Sequence, residues 1–321
     1  MTKQNTQQKP VLYLNASALK IAACSRKLYL TVIEGWRSRS FANDIEFGSA
    51  FHRFAYGVEK LHGDAGFAAA LMDAKTYFET TPMVIKSKKE YLTSLHLLRV
   101  CQEWYTGVYQ KEPFKVLQAE DGSPLIEIPF ELPFREYDDC IVKLVGTIDR
   151  IVRISQGCIV IRDYKTTSSW SAKEYFQSYE LNVQMRMYVW ALLKIIQSAP
   201  DNALLKQFNR PSQVAFAIDG IFLNGASRVE FASRPLQFFK EHDLEELELL
   251  LNLESDRLAE LHRRGLNNMP IRDGIIHDIC SGKYGLCPFY GACSSPDNHS
   301  ARSILAQNFA QKPYDPLASH E

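Results

Sequence analysis

The sequence predicts an α/β fold, because stretches rich in β-branched and aromatic residues lie between stretches with helical periodicity. Strands are expected over residues 114–120 and 124–134, in a hairpin over residues 146–166, and in a second hairpin of residues 213–224 and 228–238 around Asn224-Gly225. Helices are expected over residues 13–34, 45–62, 67–110, 172–198 and 240–265. Since no internal repeat and no low-complexity linker separates these elements, we expect a single domain over residues 13–297.

The length and composition are those of an ordinary globular protein. The 321 residues suffice for one large domain or two small ones with a substantial core. Hydrophobic residues make up 46% and charged residues 23% of the chain, as in typical globular domains. With 37 Lys and Arg against 37 Asp and Glu, the formal net charge is zero. This balance argues against a generic polycation, so a nucleic-acid-binding surface would have to concentrate its positive charge locally.

Both ends of the chain are predicted to be loosely ordered. Residues 1–12 are polar, and residues 298–321 show little periodicity. The first residues lack the apolar core of a signal peptide, and no run of about 18 apolar residues occurs in the sequence. We therefore expect a cytoplasmic protein that does not bind membranes, in which the seven cysteines stay reduced.

The stretch over residues 146–166 carries a recognisable group of charges. It is predicted to form two strands joined by a polar turn at Ser155-Gln156-Gly157, with Asp149 on the first strand. Asp163 and Lys165 on the second strand are two residues apart and project together, and a hairpin can bring Asp149 beside them. Two carboxylates beside an ammonium can hold a divalent cation and orient a water. A surface hairpin with charged ends is the alternative, but acids set in apolar strands need partners.

Side chains on the predicted helices and strands around the hairpin are candidates for the same site. His52 falls on or beside the apolar face of helix 45–62, where a core histidine is the alternative. Gln184 and Tyr188 lie four residues apart on a helix and share a face suited to a phosphate or a base. Core packing is the alternative for Tyr188. Glu120 and Glu127 are both candidates for a further carboxylate, and exposed strand positions are the alternative for each.

Three cysteines near the end of the chain have a spacing that favours a metal or cluster site. Cys280, Cys287 and Cys293 form the pattern Cys-x6-Cys-x5-Cys in a segment rich in glycine and turn residues. Three thiolates held close together in a reducing compartment favour such a site, and Cys24 is the best candidate for a fourth ligand. Zinc is the alternative to an iron–sulfur cluster, with His277 or His299 as a substitute ligand. Three structural thiols without a metal are the further alternative.

These motifs together resemble the RecB-like branch of the PD-(D/E)XK nuclease superfamily. The residues that carry the resemblance are Gly48-x3-His52, Gly146-x2-Asp149-Arg150, Asp163-Tyr164-Lys165-Thr166 and Gln184-x3-Tyr188. The four cysteines are similar to those of the branch's iron–sulfur members, which include CRISPR-associated and phage exonucleases. The resemblance covers about residues 13–295.

The resemblance implies a restriction-endonuclease-like core, with a central mixed β-sheet flanked by helices. It also implies a helical N-terminal insertion at about residues 63–112. The C-terminal region is expected to be stapled by cysteines, with a cluster-binding segment at about residues 277–295 that closes on Cys24.

The resemblance further assigns roles at the hairpin. It implies that His52, Asp149 and Asp163 ligate Mg²⁺ or Mn²⁺, with help from the backbone carbonyl of Tyr164. Lys165 would orient the attacking water and stabilise the charge that develops on the phosphate. The number of metal ions, one or two, is left open by these ligands.

Roles are also implied for the helical pair and for the cysteines. Gln184 and Tyr188 would position the DNA strand and support the lysine. A [4Fe-4S] cluster would be held by four thiolates, those of Cys24, Cys280, Cys287 and Cys293. The better-known members have Cys-x2-Cys where this chain has Cys-x6-Cys, so zinc is retained as the alternative.

The function implied by the resemblance is that of a metal-dependent DNA exonuclease. It would act on single strands or DNA ends in recombination, repair or phage DNA metabolism, inside a bacterial or phage-infected cell. The alternative is a DNA-end or protospacer-handling subunit that needs a helicase or integrase partner and cleaves weakly by itself. A nuclease-like protein without activity is disfavoured by the complete set of Asp149, Asp163 and Lys165.

Overall fold

The computed structural model describes residues 9–39, 41–155, 157–198, 208–225, 228–264, 270–277, 279–282 and 285–317. The chain divides into two compact units, and each is built from separate stretches of sequence. The unit that we call the terminal unit comprises residues 1–39, 129–146 and 245–321. The unit that we call the central unit comprises residues 40–128 and 147–244.

Helices and strands alternate along most of the described chain. The helices are α1 (Ala16–Ile21), α2 (Ser25–Leu28), α3 (Asn43–Leu61), α4 (Gly63–Thr80), α5 (Ser94–Gly107), α6 (Ala172–Gln177), α7 (Val183–Ser198), α8 (Glu241–Arg264), α9 (Tyr290–Cys293) and α10 (Asn298–Asn308). None of these described helices combines the length and the hydropathy that a membrane span requires.

The strands are mostly short outside the central region. They are β1 (Val11–Leu14), β2 (Trp36–Ser38), β3 (Phe41–Ala42), β4 (Met83–Val84), β5 (Lys115–Val116), β6 (Ile126–Glu136), β7 (Ile141–Ser155), β8 (Cys158–Thr167), β9 (Val214–Leu223), β10 (Val229–Ser233), β11 (Gln237–Phe238), β12 (Ser281–Gly282), β13 (Gly285–Leu286) and β14 (Phe309–Gln311). Strands β6 and β7 and helix α8 each have residues in both units.

The central unit contains a mixed sheet, which confirms the predicted fold class. Strand β7 pairs antiparallel with β8, β8 pairs parallel with β9, and β9 pairs antiparallel with β10. The predicted hairpin over residues 146–166 is confirmed, with Arg150 opposite Arg162. Of its predicted turn, Gln156 lies outside the described residues.

Helices cover both faces of this sheet. Phe47, Phe51 and Phe54 of α3 are fully buried in a cluster that includes Tyr164 of β8 and Ile221 of β9. On the opposite face of β9, Phe216 contacts Tyr188 of α7, with ring centroids 6.4 Å apart. Because side chains alternate between the faces of a strand, an apolar run such as β9 is buried on both sides.

Three of the predicted helices are interrupted. The one expected over residues 13–34 consists of α1 and α2, which are separated by a turn, and of a π-helical turn over Tyr29–Ile33. The helix expected over residues 67–110 ends at Thr80, and α5 begins at Ser94 behind the N-cap Thr93. Pro82 lies in the gap, and a proline disfavours helical backbone at the residue before it. The helix expected over 172–198 is interrupted after Gln177 and resumes at Val183.

The terminal unit begins and ends with ordered segments that the sequence did not predict. Residues 11–14 form β1, which pairs in parallel with the first residues of β7. Instead of a loose tail, residues 298–311 form α10 and β14. A short apolar periodicity is enough to order this segment, because Ala301, Leu305 and Phe309 are four residues apart and all three are buried. Residues 1–8 and 318–321, also predicted to be loosely ordered, lie outside the described part of the chain.

Candidate active site

The hairpin of β7 and β8 brings two carboxylates and a lysine together in the central unit. Asp163 lies on β8 with only 1% of its side chain exposed, and its Oδ2 is 2.5 Å from Nζ of Lys165. Asp149 precedes the pair Arg150–Arg162 in the register and accepts a hydrogen bond of 2.9 Å from the main-chain N–H of Tyr164. The predicted convergence of Asp149, Asp163 and Lys165 is therefore present in the fold.

His52 is brought to this hairpin by helix α3. Its Nε2 donates a hydrogen bond of 2.9 Å to the carbonyl oxygen of Tyr164. Its Nδ1 lies 3.4 Å from Oδ2 of Asp149. One turn earlier, a Cβ at Gly48 would lie 2.8 Å from Oγ1 of Thr166, so glycine permits the close approach of α3 to β8. This approach explains the spacing of Gly48-x3-His52.

Glu127, rather than Glu120, is the further carboxylate of the site. Oε1 of Glu127 lies 3.8 Å from Nδ1 of His52. One ligand atom each of His52, Glu127 and Asp149 lie within 4.8 Å of one another. Glu120 lies in an exposed turn outside this group. Glu127 also has a φ of +45°, a left-handed conformation that costs energy in residues other than glycine and is often found at functional sites.

The predicted pair on α7 contacts the same carboxylate. Nε2 of Gln184 donates to Oδ1 of Asp163 at 3.1 Å and to the hydroxyl of Tyr188 at 3.2 Å. Tyr188 is 9% exposed and also packs against Phe216. Tyr188 therefore packs as a core residue, and its hydroxyl also contacts Gln184 beside Asp163.

Burial and repulsion by neighbouring carboxylates shift the pKa values of the two aspartates in this site. Burial raises the pKa of Asp163 to about 6, with Lys165 lowering it and Asp149 adding to the rise. Burial likewise raises the pKa of Asp149. For His52, burial lowers the pKa, but Asp149 and Glu127 outweigh this effect and raise it to about 9. Three carboxyl groups thus share the site with two cationic side chains, and His52 must release its Nδ1 proton when a divalent cation binds there.

The donor set fits such a cation. Carboxylate oxygens and imidazole nitrogen are ligands that Mg²⁺ and Mn²⁺ accept. Because Nε2 of His52 donates to the carbonyl of Tyr164, Nδ1 is the nitrogen that faces Asp149 and can ligate, an arrangement typical of metal-binding histidines. The carbonyl of Tyr164 accepts the hydrogen bond that orients the histidine, and its role as a metal ligand stays a prediction.

Comparison with known families identifies the fold. The family model of the PD-(D/E)XK nuclease superfamily matches residues 14–294. The chain belongs to this superfamily. Its members are nucleases that depend on divalent metals, and a group of carboxylates and a histidine that could hold one is present in this chain. No curated protein matches the sequence.

Two solved structures are similar to this nuclease over most of their length. A provisionally named exonuclease from Eubacterium rectale has 11% sequence identity and a TM-score of 0.44, covering 86% of this chain and 97% of its own. The protein SSO0001 also has 11% identity, with a TM-score of 0.28, covering 84% of this chain and 96% of its own.

A buried network of charges on the opposite face of the hairpin was not predicted. Nη1 of Arg150 donates to Oε1 of Glu59 at 2.7 Å and to the hydroxyl of Tyr164 at 2.5 Å, and Nη2 pairs with Glu112. Beside it, Nε of Arg162 donates to Asp219 at 2.7 Å. The sequence signal for this network is the alternation of side chains along a strand. Arg150 and Arg162 each lie next to an aspartate of the site, so both must point to the opposite face of the hairpin.

The four cysteines of the nuclease all lie in the terminal unit. Strands β12 and β13 form a short hairpin between Cys280 and Cys287, and the N–H of Cys287 donates to the carbonyl of Cys280 at 2.9 Å. The hairpin therefore brings Cys280 and Cys287, which have six residues between them, next to each other. The next backbone hydrogen bond, from Tyr290 to Cys287 at 2.9 Å, leads into α9, which ends at Cys293.

Cys24 and Cys293 are neighbours of this hairpin. Burial raises the pKa of the Cys293 thiol; the guanidinium of Arg26 lowers it, and Cys287 and Cys24 add to the rise. A Cβ at Gly274 would lie 3.0 Å from Sγ of Cys24, so glycine keeps the space around this thiol open. The thiols of Cys24, Cys287 and Cys293 therefore lie near one another, with Arg26 beside them.

Proposed function

We propose that this chain is a Mg²⁺- or Mn²⁺-dependent DNA exonuclease of the RecB-like branch, acting on single strands or DNA ends. The observation that carries the proposal is the convergence of His52, Glu127 and Asp149 within 4.8 Å, beside the pair of Asp163 and Lys165. Phosphodiester hydrolysis places negative charge on the phosphate oxygens, and a site with these side chains can offset that charge.

Each side chain has a role that follows from its position. His52, Glu127 and Asp149 would hold the cation, with Asp163 as a further oxygen ligand. When bound, the cation supplies Lewis-acid stabilisation of the phosphate and of the attacking water. Lys165 keeps its charge, because the nearby carboxylates of Asp163 and Asp149 outweigh burial and raise its pKa. Its ammonium can therefore hold the water or a phosphate oxygen.

Gln184 supports this arrangement from α7. Its amide donates to Asp163 at 3.1 Å and to Tyr188 at 3.2 Å, so it fixes the rotamer of the carboxylate that pairs with Lys165. A carboxylate held in one orientation keeps the lysine ammonium in one place, and pre-organised charges contribute most to catalysis. In this proposal the hydroxyl of Tyr188 would contact the DNA strand.

The experiment is a cleavage assay with the purified chain on end-labelled single- and double-stranded DNA, with Mg²⁺, Mn²⁺ or EDTA. Asp163→Asn and Lys165→Ala should each lower kcat by on the order of 100-fold or more. The matched control is Lys143→Ala, because Lys143 also lies on a strand, pairs with Glu131, and has the same 26% exposure of its side chain as Lys165.

The assay has two outcomes that overturn the proposal. Parental rates in Asp163→Asn or Lys165→Ala would refute the assigned site. A purified chain that binds DNA ends but does not cleave them with either metal would support instead a subunit that needs a helicase or integrase partner.

In this proposal the four cysteines hold a [4Fe-4S] cluster, supported by the hairpin that brings Cys280 to Cys287 and by the electrostatic contacts of Cys293 with Cys24 and Cys287. Anaerobically purified protein should show broad absorption near about 400 nm and about four irons per chain. Cys24→Ser should lose both, whereas Cys158→Ser, on β8, should keep them. One zinc per chain in a colourless sample would replace the cluster by zinc.

A further inference from the structure

Trp170 is the solvent-exposed tryptophan of this chain. It is 78% exposed, whereas the other three, Trp36, Trp104 and Trp190, are between 2% and 9% exposed. Tryptophan is large and is normally buried to a high degree. Its indole ring offers a flat aromatic face, and removing that face from water is favourable.

The position of Trp170 ties it to the candidate active site. It follows Lys165 by five residues, in the short segment between β8 and α6. At the other end of α6, Leu181 is 81% exposed and precedes Gln184 by three residues. The segments that carry Lys165 and Gln184 into the site therefore each present one large apolar side chain to solvent.

The support beneath these two side chains is well fixed. The main-chain N–H of Ser169 donates to Oγ1 of Thr167 at 3.1 Å, and the hydroxyl of Ser171 caps α6 by accepting from Glu174 at 3.2 Å. Helix α6 is in turn anchored on β9, because the ring of Phe222 lies 5.4 Å from that of Tyr175. Because the backbone on either side of Trp170 is already ordered, binding a ligand there costs less conformational entropy.

We infer that Trp170 forms a stacking platform for an unpaired nucleobase of the DNA strand that enters the site. This inference rests on the proposed nuclease function and specifies its substrate. Aromatic stacking binds any base and needs no sequence-specific hydrogen bonds. Lys173, exposed and three residues after Trp170, supplies a cation for the neighbouring phosphate. In a duplex the base faces are covered by their neighbours, so the platform selects single strands and frayed ends.

The first test uses the fluorescence of the one exposed tryptophan. In the inactive Asp163→Asn background, which keeps the DNA intact, an unlabelled oligothymidylate should quench the solvent-exposed part of the emission. Trp170→Ala in the same background should weaken single-strand binding by about 5- to 100-fold, and Trp170→Phe should retain most of the affinity. The matched control is Leu95→Ala, since Leu95 is 76% exposed on α5 of the same unit.

The second test separates this inference from the proposed function. In the active enzyme, Trp170→Ala should raise KM for single-stranded DNA more than it lowers kcat, and should change cleavage of blunt duplexes less. If the parent cleaves DNA while Trp170→Ala binds and cleaves single strands as the parent does, the platform is refuted and the nuclease stands. If the parent cleaves no DNA but binds a fluorescein-labelled oligothymidylate, measured by anisotropy, at least about fivefold more tightly than Trp170→Ala does, while Leu95→Ala binds as the parent does, the platform stands and the nuclease fails.

Discussion

The guanidinium of Arg150 donates a hydrogen bond of 2.5 Å to the hydroxyl of Tyr164, on the face of the hairpin opposite to Asp163 and Lys165. The main chain of Tyr164 contacts the residues of the candidate active site. Its carbonyl accepts a hydrogen bond from His52 at 2.9 Å, and its N–H donates one to Asp149 at 2.9 Å. One residue thus connects a buried charge network to two of the candidate metal ligands. The ring and hydroxyl of Tyr164 hold the main chain where these ligands need it.

Tyr164→Phe tests this connection. The change removes only the hydroxyl and leaves a buried donor of Arg150 with fewer partners, so the free energy of unfolding should fall by about 1 to 3 kcal/mol. Urea unfolding measures this loss, and Mn²⁺ titration should show weaker binding, which a purely structural defect would not produce in the folded fraction. Tyr56→Phe, at a hydroxyl that accepts from the exposed Lys60, should change stability by less than about 0.5 kcal/mol. Unchanged Mn²⁺ affinity in Tyr164→Phe would show that the network does not position the ligands.

Glu127 and Glu120 form a natural pair for testing the metal ligands. Glu127→Gln should lower Mn²⁺ affinity by on the order of tenfold or more, because even the partners of metal ligands contribute this much. Glu120→Gln should leave it unchanged, since Glu120 lies in an exposed turn away from the group. Isothermal titration calorimetry with both variants decides the matter. Equal affinities would remove Glu127 from the site.

Gly48→Ala should push α3 away from β8. The added Cβ would lie 2.8 Å from Oγ1 of Thr166, which is too close for a van der Waals contact. We expect a loss of about 1 to 3 kcal/mol of stability together with reduced cleavage, because His52 lies on the next turn of α3. Adding Thr166→Ala should restore both, since it removes the opposing atom. Gly107→Ala, where a Cβ meets nothing within 4 Å, is the matched control; a double variant as impaired as Gly48→Ala would exclude this steric cause.

Asp273 gives the terminal unit a pH-dependent contribution to stability. Burial raises the pKa of its carboxyl, but hydrogen bonds from the hydroxyl and N–H of Ser25 and the charge of Arg257 outweigh this effect and lower it overall. A carboxyl with a lowered folded pKa stabilises the fold above its unfolded pKa of about 3.9, and this contribution disappears as the pH falls through the folded pKa.

Asp273→Asn should therefore destabilise the protein by about 2 to 3 kcal/mol at pH 7, and by progressively less at an acidic pH below the unfolded pKa of about 3.9. Urea unfolding of samples with equal metal content at both pH values measures the difference. The control is Glu260→Gln, since Glu260 forms only surface ion pairs with Arg263 and Arg264. A loss that is equal at both pH values would mean that packing, rather than the charge of Asp273, is responsible.

Sequence alone determined the parts of the site that depend on local periodicity. The alternation of a strand put Asp163 and Lys165 on one side, and the helical spacing of Gln184 and Tyr188 put them on one face, so these relationships could be read from residue numbers. The hairpin between β7 and β8 is likewise a local structure, and it brought Asp149 to the same place.

The tertiary structure decided what depends on contacts between distant segments. Glu127 joined the site and Glu120 did not, through a left-handed backbone conformation at Glu127 that no periodicity announces. The pairing of Arg150 with Glu59, 91 residues away, and the order of residues 298–311 depend on partners that lie far away in sequence. Side-chain periods describe only which way a residue points, whereas the partner it meets is set by how the whole chain packs.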